Sequence, residues 1–163
     1  MTQPAMRPST RPVTRPMPSR VAPNGASPRW PMTSDALRRL VDELRELESD
    51  LAVMAGAAPE PGVVQLPIAL AGRRFETLSA VLDSAEEVGD PDQVVIGRRA
   101  ILREADGQSV TYAVVFPGDG DPSLGWISGD SPMGSAVLGA RAGDVVEVDA
   151  PAGRRSITVV VVD

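Results

Sequence analysis

Apolar residues recur at heptad spacing in two stretches and in short runs thereafter, a division that predicts an α+β chain. Leu37, Leu40, Leu44, Leu47, Leu51 and Met54 are three or four residues apart, the a/d seam of a coiled coil. Thr33 or Ser34 stands where an N-cap belongs, and Asp35 falls in the first turn near the positive end of the helix dipole. A break rich in Gly, Ala and Pro runs from Gly56 to Pro67. A second seam then passes through Ala71, Phe75, Leu78, Leu82 and Ala85 until Gly89-Asp90-Pro91 stops it. Two matched seams joined by a short loop predict an antiparallel coiled-coil hairpin over residues 33–90.

The pattern changes over residues 91–163. Val94–Ile96 and Ala100–Arg103 lead into Asp106-Gly107, a hairpin turn signal. Val110–Phe116, Leu124–Ser128, Val145–Val148 and Ile157–Val162 follow, the last two joined across Pro151-Ala152-Gly153. Between Ser128 and Val145 lies a short helix. Ser131 can cap it, Pro132 suits its first turn, and Gly139 and Gly143 supply the turns that end it. Five short strands and one short helix predict a small antiparallel sheet wrapped over that helix. Trp126 is either a buried sheet residue or an exposed aromatic that adds interface area.

The run Ile127-Ser128-Gly129-Asp130-Ser131-Pro132-Met133-Gly134, continued by Ala136, Val137, Gly139 and Gly143-Asp144, resembles the C-terminal domain of the Gre family of bacterial transcription elongation factors. The family pattern is Ile-Ser-x-x-Ser-Pro-x-Gly-x-Ala-Leu-x-Gly-x-x-x-Gly-Asp, with Val137 in place of its Leu. The resemblance implies an FKBP-like shape for this domain and a helical hairpin before it. It also implies binding to the rim of the RNA polymerase secondary channel, with Asp130, Ser131, Pro132 and Met133 at the docking turn. Capping alone would account for Ser131 and Pro132, and less well for Asp130.

In the family, the hairpin enters that channel and an acidic pair at its tip helps hold the second catalytic magnesium and activate water. This chain departs from that pattern. Between Ala55 and Leu66 the only acid is Glu60, and Asp50 lies further back on the first helix. The seam from Leu37 to Met54 spans eighteen residues, about 27 Å at 1.5 Å per residue. Longer Gre hairpins exceed it by roughly two turns per arm, so the resemblance points to the short-hairpin homologues, including the regulator of nucleoside diphosphate kinase. The expectation is a monomeric, non-enzymatic regulator of elongation that binds polymerase without stimulating cleavage. The alternatives are a divergent cleavage factor acting through Glu60 and an interaction module with another partner.

Composition narrows the chemistry further. The chain has no Cys, no His and no Lys, which removes thiolate metal sites, the usual general base and any Ser/His/Asp set. Two carboxylates in Gly118-Asp119-Gly120-Asp121-Pro122 are too few for calcium, and no cofactor is expected. Residues 1–30 hold five arginines and no acid, whereas the rest holds eleven arginines against twenty-two acids. An acidic body does not attract phosphates, so nucleic acid is expected as a partner only within the transcription complex. Prolines at 4, 8, 12, 16, 18, 23, 28 and 31 make residues 1–31 an Arg/Pro-rich tail without helix or sheet. That tail is either a solvated extension or a basic arm. No run approaches the ~18 apolar residues of a membrane span, and the N-terminal stretch lacks the continuous apolar core of a secretory signal, so a cytoplasmic protein is expected.

Overall fold

Thr33, rather than Ser34, caps the first helix. Its Oγ1 accepts from the Ala36 N–H at 3.1 Å and its carbonyl from the Leu37 N–H at 2.9 Å. Ser34 instead donates its hydroxyl to Glu87. The computed structural model describes residues 29–56, 66–150 and 153–163. Helix α1 runs Ser34–Gly56 and α2 runs Leu66–Leu82, and the two pack side by side. Ala36, Leu40 and Leu44 of α1 share one buried cluster with Leu78 and Val81 of α2. Higher up, Leu51 and Met54 are only half-buried, and Val53, Leu66 and Leu70 are exposed. The described seam therefore closes at its base and opens toward its far end.

The second seam predicts helix through Ala85, but α2 stops three residues earlier and buries Val81 in preference to Leu82. The chain turns at Asp83-Ser84, and Ala85–Glu87 becomes strand β2, parallel to strand β1 at Trp30–Met32. That pairing sets Trp30 opposite Ala85 and Met32 opposite Glu87, and both Trp30 and Met32 are buried. Burying two large apolar side chains outweighs one more exposed helical turn carrying Glu86 and Glu87. Residues 30 and 31, expected at the end of the tail, thus sit in this strand; residues 1–28 lie outside the described residues.

The main sheet contains β3 (Arg99–Arg103), β4 (Ser109–Val115), β5 (Trp126–Ser128), β6 (Val145–Ala150) and β7 (Gly153–Val162), in the order β5-β4-β3-β7-β6. Asp106-Gly107 makes the expected β3–β4 hairpin, with Gly107 at φ +84°. The sheet is mixed where an antiparallel one was expected, because β4 and β5 run parallel. Their connection contains a 3₁₀ turn at Pro122–Leu124 that returns the chain to run in the same direction. Val94–Ile96 is buried but forms only isolated bridges through its ends and neighbours. Helix α3 (Pro132–Val137) covers the inner sheet face. Val137, Leu138, Val146, Val148, Ile157 and Val159 form one core continuous with the hairpin base.

Candidate functional site

The turn from Ser128 to Gly134 is built by converging hydrogen bonds. Ser131 has extended backbone angles, and its Oγ accepts from the Gly134 N–H at 3.0 Å, which makes it the N-cap of α3. The same hydroxyl donates to the Ser128 carbonyl at 2.7 Å. Pro132 follows at the first helical position, where no N–H is needed. Gly134 is obligatory for a steric reason: a Cβ there would sit 2.0 Å from the Ser128 carbonyl oxygen. Trp30 closes the other side, its ring lying 2.9 Å from where a Gly129 Cβ would be. Strand β1 therefore buttresses the turn.

Ser128 is the hub of the turn, a role that nothing but its place in the motif marks in sequence. Its Oγ accepts from the Gly118 N–H at 3.3 Å and lies within hydrogen-bond reach of both the Phe116 carbonyl and the Asp130 carboxylate. One hydroxyl proton serves one of those two acceptors at a time, and the Asp130 contact is the closer. Asp130 is exposed, and its second oxygen has no hydrogen-bond partner among the described residues. Pro132 is exposed beside it, Ser131 is half-buried, and Met133 is half-buried with its side chain packed on the core. Asp130 and Pro132 thus present one small polar–apolar knob, while Ser131 and Met133 hold it in place. Glu60, the remaining candidate, lies outside the described residues.

The loop between β4 and β5 is a structured support. Arg74 of α2 reaches into it, donating from Nη1 to the Pro117 carbonyl at 2.6 Å and pairing through Nη2 with Asp119 at 2.9 Å. Its Nε meets Glu43 of α1 at 2.8 Å. Burial works to lower the guanidinium pKa, but the hydrogen bonds and charges of Glu43 and Asp119 leave it raised. No local pattern marks Arg74, because its partners lie 31 and 45 residues away. Asp121 caps the 3₁₀ turn, and hydrogen bonds from the Ser123 hydroxyl at 2.6 Å and the Ser123 N–H at 2.9 Å hold its carboxyl below the usual range. Backbone bonds of 3.0 and 2.9 Å between Asp121 and Trp126 then fix the start of β5. Trp126 is 41% exposed, which settles its place as a surface aromatic.

Residues 89–163 match the family model for the C-terminal domain of the transcription elongation factors GreA and GreB. Transcription elongation factor GreA of Roseiflexus sp. (strain RS-1) is 33% identical over 147 residues, covering 79% of this chain and 94% of that protein. GreA of Desulfovibrio desulfuricans is 37% identical over 118 residues, 70% of each chain. GreA of Thermotoga sp. (strain RQ2) is 33% identical over 95 residues, and there the chain spans 61% of its relative's length. Among solved structures, GreA factor homolog 1 of Thermus thermophilus is 23% identical with a TM-score of 0.40, covering 83% of this chain and 99% of that one. The GreA/GreB factor of Nitrosomonas europaea is 25% identical with a TM-score of 0.45, covering 83% and 98%.

Proposed function

The chain belongs to the Gre family of transcription elongation factors, and from that premise we propose that it binds RNA polymerase near the secondary channel without stimulating RNA cleavage. The Asp130–Met133 turn is the docking element in this reading. The observation that carries it is the form of the knob: Asp130 and Pro132 are exposed on a turn whose every other residue is committed to holding it rigid. A preorganised turn loses little freedom on binding, so its few contacts translate efficiently into affinity.

The absence of cleavage activity is supported by the hairpin. Oxygen ligands are what a catalytic magnesium requires, and Glu60 is the only acid between Ala55 and Leu66. The nearest acid on α1, Asp50, precedes the end of that helix at Gly56 by six residues, about 9 Å along the axis. In this reading the protein is a non-enzymatic modulator that occupies the channel entrance and competes there with cleavage-competent relatives.

Backtracked elongation complexes test this directly. Adding the protein is expected to leave the transcripts intact and to slow their shortening by a cleavage-competent GreA. Shortening by this protein that disappears in Glu60→Ala would instead establish the divergent cleavage factor. No effect and no binding would leave an interaction module with a different partner.

A further inference from the structure

A second surface lies beside the turn. The outer face of β3–β4–β5 and the base of α1 enclose an open groove of about 400 Å³. Its floor follows from the register: Trp126 of β5 is opposite Ala113 of β4, and Ala113 is opposite Arg99 of β3. The three share one face, with the small Ala113 leaving a trough between an exposed indole and an exposed guanidinium. Val115 continues the floor, and Arg39 of α1 and Arg98 line the same groove.

The charge of this groove is opposite to that of the body. Three arginines, Arg39, Arg98 and Arg99, face two carboxylates, Glu43 and Asp119. Both carboxylates pair with Arg74, whose single charge offsets one of them, so the groove stays net positive. Among the described residues, neither Arg39, Arg98 nor Arg99 is in an ion pair: Arg98 and Arg39 donate only to the backbone carbonyls of Asp90 and Asp35. Planar guanidinium groups beside an exposed Trp suit carboxylates with an apolar flank, and Arg and Trp are the residue types that dominate protein interfaces. A nucleic-acid strand fits less well. It needs a continuous basic track, and this patch is confined to one trough in a chain of net charge −6.

We propose that this groove receives an acidic segment of RNA polymerase, with Arg99 and Arg39 holding its carboxylates and Trp126 packing on its apolar flank. The proposal rests on polymerase being the partner. It adds a second, electrostatic contact to the docking turn, since Trp126 and Asp130 are four residues apart on the same stretch of chain.

Arg39, Arg99 and Trp126 are exposed, so their substitution is expected to leave the fold intact, checked by unchanged thermal melting. Arg99→Glu is expected to weaken capture of core polymerase at least tenfold and to flatten its salt dependence. A photoreactive benzoylphenylalanine in place of Trp126 is expected to cross-link to a polymerase peptide rich in Asp and Glu. If polymerase is captured in an Asp130-dependent way but equally by Arg99→Glu, the groove proposal is overturned and the docking turn stands. Cross-linking to RNA or DNA in an assembled elongation complex also overturns it. No capture by the unsubstituted protein removes both.

Discussion

Arg74 on α2 and Asp119 on the loop after β4 form an ion pair at 2.9 Å that ties the helical hairpin to the sheet domain. The tie leads onward. Asp119 and Pro117 flank Gly118, whose N–H binds Ser128, and Ser128 in turn holds Asp130. A helix residue is thus linked through one loop to the exposed carboxylate of Asp130.

Charge-assisted hydrogen bonds contribute about 1.5–3 kcal/mol when buried, and the carboxylates here are partly exposed, which reduces their worth. Arg74→Ala is expected to lower stability by about 1–2 kcal/mol, read as a reduced urea midpoint with an unchanged slope. Arg74→Lys, which cannot reproduce the planar fork, should recover only part of the loss.

The cap and its glycine should behave differently from the knob they support. Ser131→Ala is expected to cost about 1 kcal/mol of stability, the ordinary worth of an N-cap. Gly134→Ala drives a Cβ against the Ser128 carbonyl at 2.0 Å and is expected to cost about 3 kcal/mol or to prevent folding. Equilibrium denaturation of the two variants checks both; a Gly134→Ala protein as stable as the parent would contradict the geometry.

Burial along the hairpin is graded, and so should be its energetics. Leu78 is fully buried, and Leu78→Ala is expected to cost about 2–5 kcal/mol. Leu51 is half-buried near the far end of α1, and Leu51→Ala should cost well under half as much. Similar losses at both positions would mean that the seam is closed along its whole length.

Asp121 supplies a pH signature. Its folded-state pKa lies below the ordinary 3.8 because Ser123 donates to its charged form. A lowered value contributes stability that is present above 3.8 and lost as pH falls through the folded value. Asp121→Asn is therefore expected to flatten the acid limb of the stability profile below that pH, measured by thermal melting as a function of pH.

Periodicity revealed the hairpin, the β3–β4 turn and the capped helix because each is decided by neighbours in sequence. Ser131, Pro132 and Gly139 announce α3 through their own backbone preferences. What escaped was decided at long range. Strand β2 displaces the last turn of a plausible heptad because Trp30 and Met32, more than fifty residues earlier, need cover. The parallel β4–β5 pairing depends on a connection whose path no alternation encodes. At the candidate site, Asp130 and Pro132 were legible as a motif, whereas Ser128 and Arg74 became functional candidates only once their distant partners were in place.

The most direct test of the central claim is quantitative capture of core RNA polymerase by the parent protein and by Asp130→Ala, with thermal stability measured alongside. Capture by the parent and at least tenfold weaker capture by the variant, about 1.4 kcal/mol, are expected, with stability nearly unchanged. Equal capture at equal stability would contradict that claim, reducing the turn to a helix cap.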